Sequence, residues 1–350
     1  MPEHQFEWVP SDAEVAEAFA RLGVPAADKA AEFRGSFNRV FPYTDAEGRR
    51  QVLRLRPKWL TERRLCFEHT LAAHLAGHGV PVLPPVMLRD GGTWIRVGDC
   101  YAEVYPFVTG REGHPLAQDA HLSGAVLARF HGEAPRLDRS SYEPPRVQNQ
   151  LGAPELVSLL GELGTSATCG EPLASLLPGA RPTLGWARSR LRELHARDAS
   201  GSLPVTIRHG DPHIWNFLYS EGEPARVLAL LDLDMAAEGP RIFDISYALY
   251  FFIQSTASGY NDPPGTDGAW QPLCRQFVCG YAGSADTAIG PAEAAVACLQ
   301  MHCIAAHFLY WDIVRAVNQD TIAAACQRYR SIAKWLSEHE ADVLAVVAGA

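Results

Sequence analysis

Lysine and net positive charge are scarce in this chain of 350 residues. Lys29, Lys58 and Lys334 are its only lysines, and the formal net charge is −9 with an isoelectric point near 5.8. Proteins that follow a nucleic-acid backbone neutralise its phosphates with clustered lysine and arginine. The sequence therefore predicts no nucleic-acid partner.

Paired cysteines are also lacking. None of the eight cysteines forms a Cys-x-x-Cys pair, and no segment is dense in them. This usage is typical of reduced thiols rather than of a disulfide scaffold. Cys298, His302, Cys303 and His307 crowd one helical stretch, but their spacing does not place four ligands on one face. Core packing is favoured over a zinc site.

Long apolar runs are the third absence. The longest strongly apolar run, residues 245–253, is far shorter than the roughly 20 residues that cross a bilayer. The first five residues contain no cationic stretch that leads into an apolar one, as a secretory signal would. With 47% hydrophobic residues the chain can bury one or two sizeable cores. We expect a cytoplasmic protein without a membrane partner.

The most informative stretch lies beyond the middle of the chain. His209-Gly210-Asp211 is followed by Asn216, five residues after the aspartate, and by Asp232 after an apolar strand predicted over residues 227–231. Phosphoryl transfer requires magnesium to neutralise the phosphates and a carboxylate to orient the attacking hydroxyl and accept its proton. Asp211 is the predicted catalytic base, and Asn216 and Asp232 are the predicted magnesium ligands. Considered alone, the same residues also fit a tight turn and a strand-end carboxylate.

The pattern His-Gly-Asp-x-x-x-x-Asn, with a second histidine at His213, resembles the catalytic loop of the aminoglycoside phosphotransferase and choline kinase superfamily, small-molecule relatives of the protein kinases. The resemblance covers most of the chain. It implies an α+β, bilobal protein-kinase-like fold. A small β-rich N-lobe (residues 1–107) would bind the nucleotide, and a larger, mainly helical C-lobe (residues 108–350) would carry the catalytic loop and the acceptor pocket. It also implies Mg²⁺, with ATP or GTP as phosphoryl donor.

Two upstream strands resemble the family's nucleotide site. Residues 33–41 resemble a Gly-Ser-x-Asn hairpin in which Ser36 and nearby N–H groups cradle phosphates, although an ordinary hairpin has the same pattern. Residues 51–56 alternate as a strand, so Val52 and Arg54 share a face. Protein kinases have lysine on this strand. The resemblance therefore assigns Arg54 to the α- and β-phosphates, as a guanidinium fork in place of a point charge.

A helix follows these strands. Glu68 lies seven residues before Leu75, near Val80-Pro81-Val82, which is the spacing of the family's acidic helix residue. The resemblance implies that Glu68 pairs with Arg54 and holds it against the phosphates. Glu62 falls too early for this register. A solvated helix face is the alternative for Glu68.

Residues 100–110 resemble the family's hinge, whose backbone carbonyl and amide groups read the nucleotide base. Glu103, Val104, Tyr105 and Phe107 are therefore predicted to bind nucleotide. Because backbone groups do the reading, side chains here do not distinguish ATP from GTP.

Two further aspartates follow the catalytic loop. Asp244 opens a predicted apolar helix after Gly239-Pro240, as an N-cap residue does. In the family an aspartate here also hydrogen-bonds the catalytic-loop backbone, so Asp244 is expected to be structural support. Asp234 fits a solvated strand-end carboxylate, with an acceptor contact as the alternative.

The phosphate acceptor is less defined. His213, Asp234, Trp311 and Asp312 are its predicted contacts. Family members phosphorylate hydroxyls of many small molecules, so the fold does not select one. The predicted function is phosphorylation of an antibiotic of aminoglycoside, macrolide, peptide or nucleoside type, for resistance or self-protection. A primary-metabolite kinase (homoserine, choline or sugar type) and a catalytically silent nucleotide-binding module are the alternatives, and the chain is expected to be a monomer or homodimer.

Helices and loops follow from local signals. Ser11-Asp12-Ala13-Glu14 is a capping box that opens a helix ending near Gly23. Residues 133–183 are rich in Pro, Gly and Ser, with loops predicted at residues 144–145 and 165–170. Residues 186–197, 292–317 and 321–347 carry helical periodicity.

Overall fold

The computed structural model describes residues 10–23, 33–34, 38–57, 59–140, 142–145, 150–164, 171–197, 203–259, 262–265, 267–286 and 288–349. The chain divides into two compact units. One comprises Met1–Gly110 with Leu137–Glu143, and the other comprises Arg111–Arg136 with Pro144–Ala350. The first is rich in strands and the second mainly helical, which agrees with the predicted α+β class.

The first unit opens with a helix that packs on a sheet. α1 (Asp12–Arg21) begins at the predicted capping box, in which the Glu14 N–H donates to Ser11 Oγ at 3.2 Å and the Ser11 N–H donates to the Glu14 carboxylate at 2.7 Å. Val15 and Phe19 lie one turn apart and are buried. They pack in the same apolar core as the inner face of the sheet.

The sheet of the first unit is antiparallel and has the order β1-β2-β3-β5-β4. Its strands are β1 (Phe33–Arg34), β2 (Arg39–Thr44), β3 (Arg50–Arg56), β4 (Ile95–Val97) and β5 (Cys100–Pro106). Successive side chains of a strand point to opposite faces. Leu53 and Leu55 of β3 therefore enter the core, whereas Arg54 and Arg56 lie on the other face.

The hairpin predicted for this unit is present in the structure. β1 pairs with β2 through Phe33↔Val40 and Arg34↔Arg39, so the hairpin predicted over residues 33–41 is confirmed. Ser36, the predicted phosphate-binding residue, lies outside the described residues. α2 (Glu62–Gly77) follows β3 and is capped by the side chain of Thr61, which accepts from the Arg64 N–H at 3.1 Å.

The second unit combines helices with two small sheets. Its helices are α3 (Ala117–Glu133), α4 (Ala153–Gly164), α5 (Glu171–Arg197), α6 (Arg241–Gln254), α7 (Trp270–Ala282), α8 (Pro291–Val314), α9 (Gln319–Glu338) and α10 (Glu340–Ala348). Its strands are β6 (Arg111–Glu112), β7 (Val205–Arg208), β8 (Phe217–Tyr219), β9 (Val227–Leu230) and β10 (Ala237–Pro240). β6, β8 and β9 form one antiparallel sheet, and β7 pairs with β10.

α4 and the first half of α5 lie within residues 133–183, the stretch rich in proline, glycine and serine, where no helix was predicted. α5 continues through Pro178 and Pro182, although proline removes a helical hydrogen bond. An apolar stripe outweighs this cost because its members recur every three or four residues along the helix. The buried members are Leu173, Leu177, Ala180, Leu184, Ala187, Leu191 and Leu194. Of the two predicted loops, residues 165–170 lie outside the described residues.

α8 is a long, strongly apolar helix. By length and composition it could cross a membrane, but 83% of its most apolar 18-residue window is buried inside the fold, as in the core helix of a folded protein. His302 and His307 are buried on this helix. Within the described part of the chain neither ring nitrogen of His302 has a hydrogen-bond partner. Burial lowers the pKa of His302 to about 3 and that of His307 to about 4.

These histidines predict a loss of stability in mild acid. Because their pKa values are lower in the folded chain than the ordinary value of 6.5, the unfolded chain binds more protons as the pH falls below ~6.5. Each histidine then removes up to ~1.4 kcal/mol of stability per pH unit. We expect His302→Leu to flatten the decline in the free energy of unfolding between roughly pH 6.5 and 4.5, measured by chemical denaturation. The exposed His121 is the control: His121→Leu should keep the wild-type slope, and an unchanged slope in His302→Leu would contradict the assignment.

Candidate active site

The catalytic loop starts where β7 ends. His209, Gly210 and Asp211 follow Arg208, and Gly210 has φ of 86°. A Cβ at Gly210 would overlap the backbone oxygen of Met235. Glycine is therefore required here both by its left-handed conformation and by the close approach of the backbone.

The carboxylate of Asp244 holds this loop through hydrogen bonds to the loop backbone. Its carboxylate accepts the N–H of His209 at 2.6 Å and the N–H of Gly210 at 2.9 Å. His131 Nε2 and Gln150 Nε2 contact the same carboxylate at 2.9 and 2.8 Å. Burial alone would raise the pKa of Asp244, but the hydrogen bond and charge of His131, with smaller effects of nearby Arg208 and His209, lower that pKa to about 2.

The predicted hydrogen bonding between Asp244 and the loop is thus present, but its predicted N-cap position is wrong. α6 begins at Arg241 with Pro240 as its N-cap, so Asp244 lies one turn inside the helix. The helix starts earlier because β10 pairs with β7 through to Pro240. This pairing places Pro240 directly beside β7. The first turn of α6 then places Asp244 next to the loop.

His209 joins the loop to the end of β9. Its Nδ1 accepts the N–H of Asp211 at 3.2 Å, and its Nε2 donates to the backbone oxygen of Leu231 at 2.9 Å. This pairing requires the neutral ring with its proton on Nε2. Burial lowers the pKa of His209, although nearby Asp244 and Asp211 act to raise it. The ring therefore ties Asp211, the predicted base, to Leu231, the residue that precedes Asp232.

The two predicted magnesium ligands lie at the same end of the β8–β9 hairpin. The backbone oxygen of Asn216 accepts the N–H of Leu231 at 2.8 Å, and Asp232 directly follows Leu231. Asn216 Nδ2 donates to Asp211 O at 2.8 Å and lies 3.4 Å from Asp211 Oδ2. The Asn216 amide nitrogen thus faces Asp211, and its oxygen faces away.

Asp232 has an unusual backbone. With φ of 67° it is the one non-glycine residue with positive φ among the described residues. Such conformations cost free energy and cluster at functional sites. An amide oxygen and a carboxylate at adjacent hairpin positions are hard oxygen donors of the kind Mg²⁺ takes, so these residues fit the metal that the family implies.

His213 connects the base to an aromatic cluster. Its Nε2 lies 3.7 Å from Asp211 Oδ2, and its ring centroid lies 5.6 Å from that of Trp215 and 5.3 Å from that of Phe251. The structure therefore brings His213, a predicted acceptor contact, close to the carboxylate of Asp211, the predicted base. Sequence reasoning missed Trp215, although it stands next to Asn216.

The other predicted acceptor residues have partners within the fold. The Trp311 indole N–H donates to His307 Nε2 at 2.6 Å, and Asp312 forms an ion pair with Arg328 at 2.9 Å. Asp234 lies in the turn Leu233–Met235 directly after Asp232. An acceptor role for Trp311 or Asp312 stays a prediction, and it would require a ligand to compete with these contacts.

In the first unit, the arginine held by Glu68 is Arg56. Arg56 Nη1 donates to Glu68 at 2.8 Å and to Glu103 at 3.0 Å, and Arg64 Nε donates to Glu68 at 2.5 Å. All four side chains are nearly inaccessible to solvent, so the alternative of a solvated helix face for Glu68 is wrong. Arg54 is opposite Glu103 in the strand register and lies 3.8 Å from its carboxylate.

The predicted pairing of Glu68 with Arg54 is therefore corrected to Arg56. β3 ends at Arg56 and α2 begins at Glu62, so Glu68 lies beside the end of β3 rather than its middle. The alternation of β3 puts both arginines on one face, so a sequence signal for Arg56 existed. Glu103 also contacts His69 Nε2 at 2.6 Å.

Glu103 contributes its side chain to this site, and not only its backbone groups. Burial would raise the pKa of its carboxyl group, but Arg56, His69 and Arg54 lower that pKa to about 2. Two backbone groups of the predicted base-reading segment are also used within the unit. Val104 O accepts the Val86 N–H at 2.7 Å, and the Phe107 N–H donates to Arg50 O at 3.1 Å. Fewer groups of this segment are thus available to a nucleotide base than the sequence suggested.

The buried ion pairs of Glu68 predict a large effect on stability. Glu68→Ala leaves Arg56 and Arg64 in the interior with one carboxylate fewer, and loss of a buried partner costs about 3–5 kcal/mol. We expect Arg56→Met to offset part of this loss, with a coupling of ~0.5–3 kcal/mol in a double-mutant cycle. The measurement is the free energy of unfolding by urea.

The control for this cycle is Glu62, which is exposed on the same helix. Glu62→Ala should cost less than about 1 kcal/mol, the usual contribution of a carboxylate near an exposed helix N-terminus. Strict additivity of Glu68→Ala and Arg56→Met would show that the two side chains do not act as a pair.

Comparisons with known proteins agree with this geometry. The model of the phosphotransferase enzyme family matches residues 31–262. The chain therefore belongs to the phosphotransferase enzyme family, and the resemblance seen in the His-Gly-Asp loop is confirmed. An uncharacterized protein of Synechocystis sp. is 28% identical over 209 residues, which are 56% of this chain and 52% of that protein. The match thus spans about half the length of this relative.

Two solved structures show the same fold. The amicoumacin kinase hAmiN, in complex with AMP-PNP, Ca²⁺ and Ami, has a TM-score of 0.69 at 17% identity, with 93% of this chain and 94% of that chain covered. A microcompartment-associated aminopropanol kinase has a TM-score of 0.69 at 16% identity, with 95% and 98% covered. The predicted protein-kinase-like fold is confirmed.

Proposed function

We propose that the chain is a magnesium-dependent phosphotransferase that moves the γ-phosphoryl group of ATP or GTP to a hydroxyl group of a small molecule. The observation that carries this proposal is that hydrogen bonds fix the positions of Asp211, Asn216 and Leu231, the residue before Asp232. Asp244 holds the loop backbone, and His209 links the loop to β9. Family membership supports the same reaction class.

Asp211 is proposed to be the general base. Its carboxylate orients the acceptor hydroxyl and receives its proton as the new oxygen–phosphorus bond forms and the bond to the nucleoside diphosphate breaks. His213, 3.7 Å from Asp211 Oδ2, limits the directions from which the hydroxyl can approach. The left-handed backbone of Asp232 and the hydrogen bonds of Asn216 orient these two side chains before substrate binds.

Asn216 Oδ1 and the Asp232 carboxylate are proposed to hold magnesium. When bound, the ion neutralises charge on the phosphates. Asp232 contributes a full negative charge, whereas Asn216 contributes only a dipole. The carboxylate is therefore expected to provide more of the affinity.

The first unit is proposed to bind the nucleotide. Ser36, Arg54, Glu68 and the backbone of Val104, Tyr105 and Phe107, apart from Val104 O and the Phe107 N–H, are the proposed contacts, with Glu68 acting through Arg56. Arg56 is held by two carboxylates, so it is a fixed cation on the face that also carries Arg54. Arg54 keeps the more accessible position, at 13% side-chain exposure against 3% for Arg56. Arg54 is thus proposed to reach the phosphates, and Arg56 to hold the strand face in place.

The proposed acceptor is an antibiotic, and the proposed role is resistance or self-protection in the cytoplasm. The structural similarity to amicoumacin kinase supports this choice. The similarity to an aminopropanol kinase supports the alternative of a primary metabolite. An acceptor panel assayed with ATP and with GTP distinguishes the two. It includes aminoglycosides, macrolides, nucleoside and peptide antibiotics, amino alcohols, homoserine and sugars.

The assignment of Asp211 is tested by Asp211→Asn. Loss of general-base assistance lowers the rate by ~10²–10⁴, whereas nucleotide binding should remain nearly unchanged because Asp211 contacts the acceptor. Turnover is measured by product formation and binding by calorimetry with a non-hydrolysable nucleotide. Glu221→Gln, in an exposed turn of the same unit, is the control. Near-normal turnover in Asp211→Asn would refute the assignment.

The proposed metal site predicts an order of effects. Asp232→Ala should weaken magnesium-dependent nucleotide binding more than Asn216→Ala, because a carboxylate neutralises more of the ion's charge than an amide does. Calorimetric titration of magnesium at fixed nucleotide measures both. Equal effects, or none, would show that the ligands are misassigned.

A further inference from the structure

An exposed tryptophan stands beside the catalytic residues. Trp215 lies between the base Asp211 and β8, directly before Asn216, and 46% of it is accessible to solvent. Tryptophan has the largest apolar surface of any side chain, and exposed aromatic rings are enriched at binding sites. The exposure of Trp215 therefore needs an explanation other than packing in the core.

The ring of Trp215 belongs to an aromatic platform formed by His213, Trp215, Phe251 and Phe308. The buried Phe251 ring lies at its centre, with centroid distances of 5.3 Å to His213, 5.7 Å to Trp215 and 5.9 Å to Phe308. Phe251 is also supported from the core by Tyr247, at 5.0 Å. The exposed ring of Trp215 is thus held in place by its neighbours, so that a ligand would lose little entropy in ordering it.

One side chain, His213, links the aromatic platform to the carboxylate of Asp211. His213 contacts the Trp215 ring at 5.6 Å and places its Nε2 3.7 Å from Asp211 Oδ2. His213 is therefore adjacent both to the Trp215 ring and to the Asp211 carboxylate. An acceptor that rests on the platform can present a hydroxyl group to Asp211.

The charges of the platform indicate the class of acceptor. None of its four side chains carries a carboxylate. Of the two aspartates predicted to contact the acceptor, Asp312 is neutralised by Arg328 at 2.9 Å, and Asp234 lies in the turn directly after Asp232. A polycationic acceptor is recognised by several unpaired carboxylates, whereas a flat ring is recognised by stacking on aromatic side chains. The platform is suited to the second.

We propose that the acceptor carries a flat aromatic ring that stacks on Trp215 and places its hydroxyl at Asp211, which makes Trp215 a residue that determines acceptor specificity. This inference rests on the proposed phosphotransferase function. It selects aryl-bearing hydroxyl compounds over polycationic amino sugars.

The test uses pairs of alcohols that differ only in ring saturation. 2-Amino-1-phenylethanol and 2-amino-1-cyclohexylethanol form one pair, and their naphthyl and decalinyl counterparts form another. Wild-type protein should phosphorylate the aryl member of each pair with the higher kcat/KM. Trp215→Ala should lower kcat/KM for aryl members by roughly 5- to 20-fold, the range expected when one stacked ring is lost, and should change the saturated members by less than about 2-fold. Trp215→Phe should keep most of the preference.

Trp186→Ala is the matched control, because Trp186 is 43% exposed on α5, where it packs against Tyr329. It should leave both members of each pair unchanged. The nucleotide KM is measured for every variant, and thermal unfolding shows that each is folded. A drop confined to aryl acceptors, with the nucleotide KM unchanged, supports the proposal.

Two results would overturn the inference while leaving the phosphotransferase function intact: phosphorylation without an aryl preference, or an equal effect of Trp215→Ala on both members of a pair. A rise in the nucleotide KM of Trp215→Ala, with acceptor preference unchanged, would move Trp215 to the nucleotide and also overturn it. Binding of the aryl alcohols is measured separately by saturation-transfer NMR with AMP-PNP. Binding that depends on Trp215, with no phosphorylation of any acceptor, would instead refute the proposed function.

Discussion

The catalytic loop depends on one buried carboxylate. Asp244 accepts two consecutive backbone N–H groups, of His209 and Gly210, and is itself contacted by His131 and Gln150. A carboxylate with this many donors stays ionised, which the lowered pKa of about 2 reflects. Because the two N–H groups belong to the residues directly before the base, the anion fixes the backbone from which Asp211 projects.

A second buried charge network fixes the other set of proposed functional residues. Glu68 and Glu103 share Arg56, and their remaining oxygens contact Arg64 and His69. Burying charges is costly unless each is paired and hydrogen-bonded, so every member constrains the others. The network joins α2 to the outer face of β3 and β5. Both units thus use an internal carboxylate to hold backbone near the residues proposed to contact substrate.

The close placement of the proposed site residues could be predicted because its signals are local in sequence. Asp211, Asn216 and Asp232 stand at a spacing set by one loop and one hairpin, and the strand alternation of β3 identifies the face that carries Arg54. The partner of Glu68 could not be chosen, since Arg54 and Arg56 occupy the same face and only the path from β3 to α2 separates them. The continuation of α5 as a helix through Pro178 and Pro182 could not be predicted either, because packing of its apolar stripe outweighs local propensity.

By itself, the sequence determined the family, the order of the elements and the position of the His-Gly-Asp loop, because glycine, aspartate and asparagine at these spacings are short-range requirements of backbone geometry. Tertiary structure alone decided the contacts made over long sequence separations. His131 and Gln150 reach Asp244 from more than ninety residues away, and Phe251 and Phe308 reach the platform around Trp215 from separate helices. Such pairings depend on how helices pack, and packing is a property of the whole folded unit that no local pattern encodes.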